Sequence, residues 1–211
     1  MEPDKLRPQD IEALSFGIIT RELGDTPLIP GTEDIVKRCI HTSADFDYAR
    51  NLYFSENVVS KALELIRGGI SIVTDTQMAK AGINAGALAK FGGEVLCFMS
   101  DEDVAAQAKR NGTTRACACM DKAARQERPF IYAVGNAPTA LIRLYELWRE
   151  GSIDPALVIG VPVGFVNVIQ SKELIMSTDI PCIIARGRKG GSSIAACIVN
   201  ALLYMLTDRG Y

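Results

Sequence analysis

Residues 36–50, VKRCIHTSADFDYAR, contain the only histidine of the chain, His41, three positions after Arg38 and followed at once by Thr42 and Ser43. An imidazole gains and loses its proton near neutrality, which suits general acid–base chemistry. If the segment is helical, Arg38 and His41 share one face. A polyanion bound beside them favours the charged imidazolium, so a ligand can itself load the proton. A structural histidine, satisfied by its neighbours, is the competing reading of one isolated imidazole.

A second cluster, ARGRKGGSS at 185–193, joins Arg186, Arg188 and Lys189 to Gly187, Gly190, Gly191 and two serines, just ahead of the apolar run SIAACIVNALLYML. Glycines let backbone N–H groups approach a ligand, a helix N-terminus favours negative charge, and arginine forks match carboxylate or phosphate. The pattern predicts an anion cradle, with a solvated turn and a serine cap as the alternative. It is neither G-x-x-x-x-G-K-[ST] nor G-x-G-x-x-G, so it specifies no nucleotide.

Three further stretches close strand-like runs. TDTQMAKAGI (74–83) offers Asp75 as an acid, a hydrogen-bond acceptor or a cap for the next helix. VGNAPTAL (134–141) puts Asn136 at a helix start with Pro138 just inside, as cap or ligand contact. GVPVGFVN (160–167) sets Gly164 among apolar neighbours, either to let backbone pass close to a flat ligand or to bend the chain. Cys117 and Cys119 form one C-x-C with no second pair and no nearby histidine, so no protein-held metal is expected. No G-x-S-x-G elbow marks a nucleophile.

Such residues need a frame. The runs GISIVTD (69–75), GEVLCFM (93–99), PFIYAVGN (129–136), ALVIGVPVGF (156–165) and IPCIIAR (180–186) are short and apolar, as in strands buried on both faces. Helix-like segments separate them. SDEDVAAQAKRNG carries Ser100 as N-cap, Asp103 as its capping-box acid and Gly112 as stop; NAPTALIRLYELWREG aligns Leu141, Leu144, Tyr145 and Trp148 between Asn136 and Gly151. Alternation of this kind predicts the α/β class with a mainly parallel sheet covered on both sides. Residues 1–66 read as helical, with no convincing strand, and are expected to pack on the sheet part, 67–211, as one wall of a cleft. One domain spanning 1–211 is expected, because no linker, repeat or low-complexity run divides the chain.

Composition narrows the partners. With 23 Lys and Arg against 25 Asp and Glu the net charge is −2, which argues against nucleic acid as an obligate partner. The six cysteines show no secreted disulfide framework, and the opening MEPDKLRPQD has no apolar signal region. Neither long apolar run reaches the roughly 18 residues a membrane helix needs. A soluble, cytoplasmic protein is expected.

Taken together, SFGIITREL, VKRCIHTSADFDYA, TDTQMAKAGI, TRACAC, YAVGNAPTAL, GVPVGFVNV and ARGRKGGSS resemble, in one order through nearly the whole chain, the precorrin-8X methylmutases (precorrin isomerases) of cobalamin synthesis. The resemblance implies a single Rossmann-like domain, a homodimer or other homo-oligomer, and an isomerase without a cofactor. Its substrate would be a tetrapyrrole, precorrin-8X or cobalt-precorrin-8. A methyl group would move from ring carbon 11 to ring carbon 12, giving hydrogenobyrinic or cobyrinic acid. His41 matches the family's catalytic histidine, Arg38 and Ser15 match residues of its site, and Arg115 matches an arginine near the substrate. A protonated His41 would then assist a 1,5-shift, with Arg38, Arg186, Arg188 and Lys189 holding the peripheral acids and Thr42, Asp75, Asn136, Gly164 and Gly190 lining the site. Val163 and Phe165 would lie against the ring plane. Two rivals stay open: a phosphometabolite-binding α/β enzyme, and a non-catalytic corrinoid carrier.

Overall fold

A computed structural model describes residues 7–126 and 128–207. The first described helices are α1 (Pro8–Leu23), which buries Phe16, Ile19 and Leu23 and leaves Ile11, Leu14 and Ile18 exposed, and α2 (Glu33–Ser43). In α2 the buried residues are Ile35, Val36, Cys39 and Ile40, the spacing of a single helix face. The helix stops where Ala44 turns left-handed and its N–H donates to the Ile40 carbonyl at 2.7 Å. A short α3 (Tyr48–Asn51) leads directly into β1 (Leu52–Phe54), which corrects the expectation of an all-helical start. Three residues carry too little local pattern to announce a strand. β1 exists because its backbone finds a partner 129 to 133 positions on, pairing antiparallel with Ala185, Ile184 and Ile183.

The remaining elements alternate: α4 (Val58–Arg67), β2 (Ser71–Thr74), α5 (Gln77–Gly82), α6 (Ala85–Ala89), β3 (Val95–Leu96), α7 (Glu102–Asn111), α8 (Arg115–Ala124), β4 (Phe130–Val134), α9 (Pro138–Arg149), β5 (Leu157–Gly160), α10 (Val168–Met176), β6 (Cys182–Ala185) and α11 (Ser192–Tyr204). They build one six-stranded sheet in the order β1-β6-β5-β4-β2-β3, parallel except for β1. Successive strand residues feed opposite faces. Ile72, Ile131, Leu157, Ile159 and Ile183 join the layer of α2, α4, α5 and α11, while Val73, Phe130, Tyr132, Val158 and Ile184 join that of α7 to α10. Burial on both faces explains the unbroken apolar runs, each such side chain contributing roughly 1.5–3 kcal/mol.

Two expected caps are replaced. Ser100 does not cap α7: the capping position is Asp101, which makes no side-chain cap bond because Lys122 takes the carboxylates of Asp101 and Asp103, each at 2.7 Å. Gly112 closes α7 as expected, left-handed at φ 61°. Asn136 does not cap α9, whose cap residue is Ala137. On α9 the fully buried stripe is Leu141, Leu144 and Leu147, with Tyr145 and Trp148 packed half-buried at its flank. Among the described residues no helix is long and apolar enough to cross a membrane.

Candidate functional site

Strand order reverses between β2 and β4, so the crevice beyond their carboxyl ends is where a sheet of this topology receives ligands. Asp75 stands there, immediately after β2 and wholly buried. Its Oδ1 accepts from the Gly135 N–H at 2.8 Å, and its Oδ2 from Asn136 and Ala137 at 2.8 and 2.7 Å. Burial pushes the Asp75 carboxyl above its usual value, opposed by those three donors. Asp75 therefore does not cap the next helix in sequence, α5, which Thr76 caps; it ties down the three residues that lead into α9. Wholly buried and bonded through both oxygens, Asp75 fixes the shape of the crevice. Asn136 lies beside it, exposed, with its backbone N–H committed to Asp75.

The glycine-rich loop arrives at the same place. Gly191 donates to the Val161 carbonyl at 2.8 Å, and Gly164 donates to the Arg188 carbonyl at 3.2 Å, tying the loop after β6 to the loop after β5. Gly190 adopts φ 155°, and a Cβ there would come within 2.0 Å of the Val161 oxygen. Gly135 is equally constrained, since its Cβ would meet the Ser192 Cα at 2.6 Å. The first turn of α11 therefore seats directly on the switch point, with Ser192 Oγ 2.8 Å from Thr76 Oγ1 and no side chain capping the helix.

The three cations of this loop diverge. Arg188 is exposed and lies 5.4 Å over the ring of Phe165, itself 82% exposed. Arg186 lies 4.9 Å over Tyr53 and lines a cavity of about 740 Å3 shared with Arg50, Leu28 and Ile29. Lys189 is held by Asp45 and Asp47 at 2.7 and 2.5 Å, which raises its affinity for the proton. The clasp joins the cradle to the segment just past His41.

His41 sits on the outward face of α2 with its ring stacked on Phe16 of α1 at 5.2 Å and 26°. Arg38 anchors that pair. Its guanidinium meets Glu12 at 3.0 Å and lies 5.5 Å over Phe16 and 4.7 Å over Tyr204. Ser15, half-buried, precedes Phe16 on α1. Thr42 Oγ1 donates to Cys197 Sγ at 3.2 Å, and Ser43 Oγ bonds back to the Cys39 carbonyl at 2.7 Å, so neither caps the next helix. The structure brings Ser15, Arg38, His41 and Thr42 into one patch, and Asp75, Asn136, Gly164, Arg188 and Gly190 into another. Arg115 heads α8, tied through Thr114 and Thr139 to the start of α9, in the layer across the sheet from α2.

Two participants escaped the sequence reading. Phe16 is one apolar residue among many in α1. Lys172, 1% exposed, sits inside VIQSKELIM, where a lone lysine reads as the polar side of a helix. Among the described residues no three His, Cys, Asp or Glu side chains gather as a metal site, and all six cysteines are free thiols.

A doubly wound α/β sheet with a glycine-rich, arginine-bearing loop at its switch point and an exposed imidazole on a neighbouring helix has the frame of a small-molecule α/β enzyme. The chain belongs to the precorrin-8X methylmutase family, whose model matches residues 10–205, and it is accordingly an isomerase of cobalamin biosynthesis. It is 45% identical to the cobalt-precorrin-8 methylmutase of Salmonella typhimurium, covering 96% of this chain and 97% of the relative. To the enzyme of the same name from Priestia megaterium it is 43% identical, covering 99% and 92%. To the precorrin-8X methylmutase of Sinorhizobium it is 34% identical, covering 89% and 90%. The crystal structure of the Thermus thermophilus precorrin-8X methylmutase superposes with a TM-score of 0.85 at 37% identity, covering 95% of this chain and 99% of that one.

Proposed function

We propose that this isomerase moves a methyl group from ring carbon 11 to ring carbon 12 of cobalt-precorrin-8, giving cobyrinic acid, with His41 as the acid. The observation that carries the reading is the exposed imidazole of His41, stacked on Phe16 and flanked by the buttressed guanidinium of Arg38. The preference for a cobalt-bearing substrate rests on six relatives of that name being 35–45% identical, against 34% for the Sinorhizobium and Pseudomonas aeruginosa enzymes that bear the metal-free name. The cobalt ion belongs to the substrate.

The reaction is an isomerisation, so it balances without oxidant or water: the methyl bond to carbon 11 breaks as that to carbon 12 forms, and the ring π-bonds relocate. A proton lent by imidazolium to the macrocycle withdraws electron density from the migrating system and is returned afterwards. Arg188 and the loop N–H groups receive peripheral carboxylates, and Phe165 and Val163, 82% and 47% exposed, offer apolar cover for the ring plane. Arg115 lies across the sheet from His41, and Ile11, Leu14 and Ile18 form an exposed stripe along α1, which supports a homo-oligomer in which a second copy closes the site. Free thiols throughout support a reducing, cytoplasmic setting.

The test is an absorbance scan of purified protein with cobalt-precorrin-8 and with precorrin-8X, beside His41→Ala at matched loading. Conversion by the wild type and binding without conversion by the variant is the expected result. Full turnover by His41→Ala removes the acid role, and a spectrum unchanged with either substrate removes the reaction.

A further inference from the structure

The mechanism above has no use for Lys172, yet this lysine is buried in α10 to 1% exposure. An apolar side chain of the same volume would fill the space with no desolvation cost, so a charge retained there has work to do locally. Its Nζ donates to the carbonyls of Gly187 and Lys189 at 2.8 and 2.9 Å. Those carbonyls belong to the two peptide units that begin and end the Arg188–Lys189 step of the glycine-rich loop.

A trans peptide is planar, with its C=O and N–H pointing in opposite directions. Drawing the 187 and 189 carbonyls inward onto one ammonium therefore turns the N–H groups of Arg188 and Gly190 outward. Among the described residues neither N–H has a protein acceptor. The intervening peptide is fixed in the other sense, because the Arg188 carbonyl accepts from Gly164. Two outward N–H groups, alternate along the chain and next to the exposed Arg188 guanidinium, form a concave donor set for one carboxylate. The ammonium beneath them adds positive potential at short range. Burial lowers Lys172 to about 8, which leaves it charged near neutrality.

We propose that Lys172 is a positioning residue: it orients the 187–190 backbone so that the N–H groups of Arg188 and Gly190, together with the Arg188 side chain, receive one peripheral carboxylate of the substrate. This rests on the reading of the loop as the holder of substrate acids. It separates Lys172 from Lys189, whose ammonium is engaged by Asp45 and Asp47.

Lys172→Met keeps the volume and removes both donors. Steady-state kinetics with cobalt-precorrin-8 are expected to show KM raised by at least about tenfold with kcat within about threefold, because the contact made is with a remote acid and not the migrating centre. Hydrogen exchange of ligand-free protein is expected to show faster exchange at the amides of Gly164 and Gly191, which pin the loop, with β4 and β5 unchanged. Lys172→Ala, which leaves room for an amine, is expected to regain its KM with added propylammonium. An unchanged KM, a loss confined to kcat, or exchange that rises throughout the sheet overturns the proposal, and so does failure of propylammonium to restore KM. Should the wild type convert no tetrapyrrole, the proposed function fails by itself, while exchange at Gly164 and Gly191 still decides whether Lys172 holds the loop.

Discussion

His41 occupies a position where a flat ligand is within reach: exposed, stacked on Phe16, and next to a threonine bonded into α11. Its replacement by asparagine is expected to lower kcat by about 100-fold or more while leaving the melting temperature unchanged, as measured by turnover and calorimetry, since general acids contribute roughly 10²–10⁴ and an exposed side chain supports little packing. Lys172 makes the opposite prediction, on stability. Its folded value of about 8 lies below the 10.5 of a free lysine, so between those pH values the unfolded chain binds the extra proton and stability rises with pH. Denaturant titrations are expected to show wild type gaining on Lys172→Met from pH 8 to 10.5 by up to about 3 kcal/mol. A flat difference across that window would remove the buried charge from the account. The value of a lysine inside VIQSKELIM was not legible beforehand, because nothing local tells a solvated lysine from one whose head meets two carbonyls of a loop 15 and 17 residues away.

The site is built by element ends. Asp75 after β2 fastens the start of α9, Ser192 at the start of α11 meets Thr76 at the start of α5, and the loops after β5 and β6 lock through Gly164, Gly190 and Gly191. Gly190→Ala places a Cβ against the Val161 oxygen at φ 155° and is expected to cost about 3 kcal/mol or more, read from denaturant midpoints, with substrate affinity lost beyond the loss of stability. The glycines and apolar runs were legible as loop and strands, because positive φ and two-sided burial each select residue types. The partners of Asp75 were not, since its oxygens bind the turn ahead of α9, 60 to 62 residues on. The capping pattern at Ser100 misled for a related reason: Lys122, on the facing helix, competes for the acids that a local reading assigns to the cap.

On the scale of the molecule, Arg115 heads α8, whose buried residues belong to the layer across the sheet from that of α2. If a second copy completes the cleft, Leu14→Glu, on the exposed stripe of α1, is expected to shift sedimentation to the monomer and to cut turnover by about tenfold or more with little change in the intrinsic fold. A wild type that sediments as a monomer at full activity would remove the shared cleft.

The sequence by itself determined the α/β class, five strands, the glycine-rich loop, His41 with Arg38 on one face of a helix, and the family. Each of these depends on residue type and short-range spacing, which the chain displays in order. Tertiary structure alone decided the sixth strand at Leu52–Phe54, the partners of Asp75 and Lys172, the capture of Lys189 by Asp45 and Asp47, and the stacking of His41 on Phe16. All of those are pairings between distant segments, chosen by which backbone groups and buried charges need a partner once the layers close.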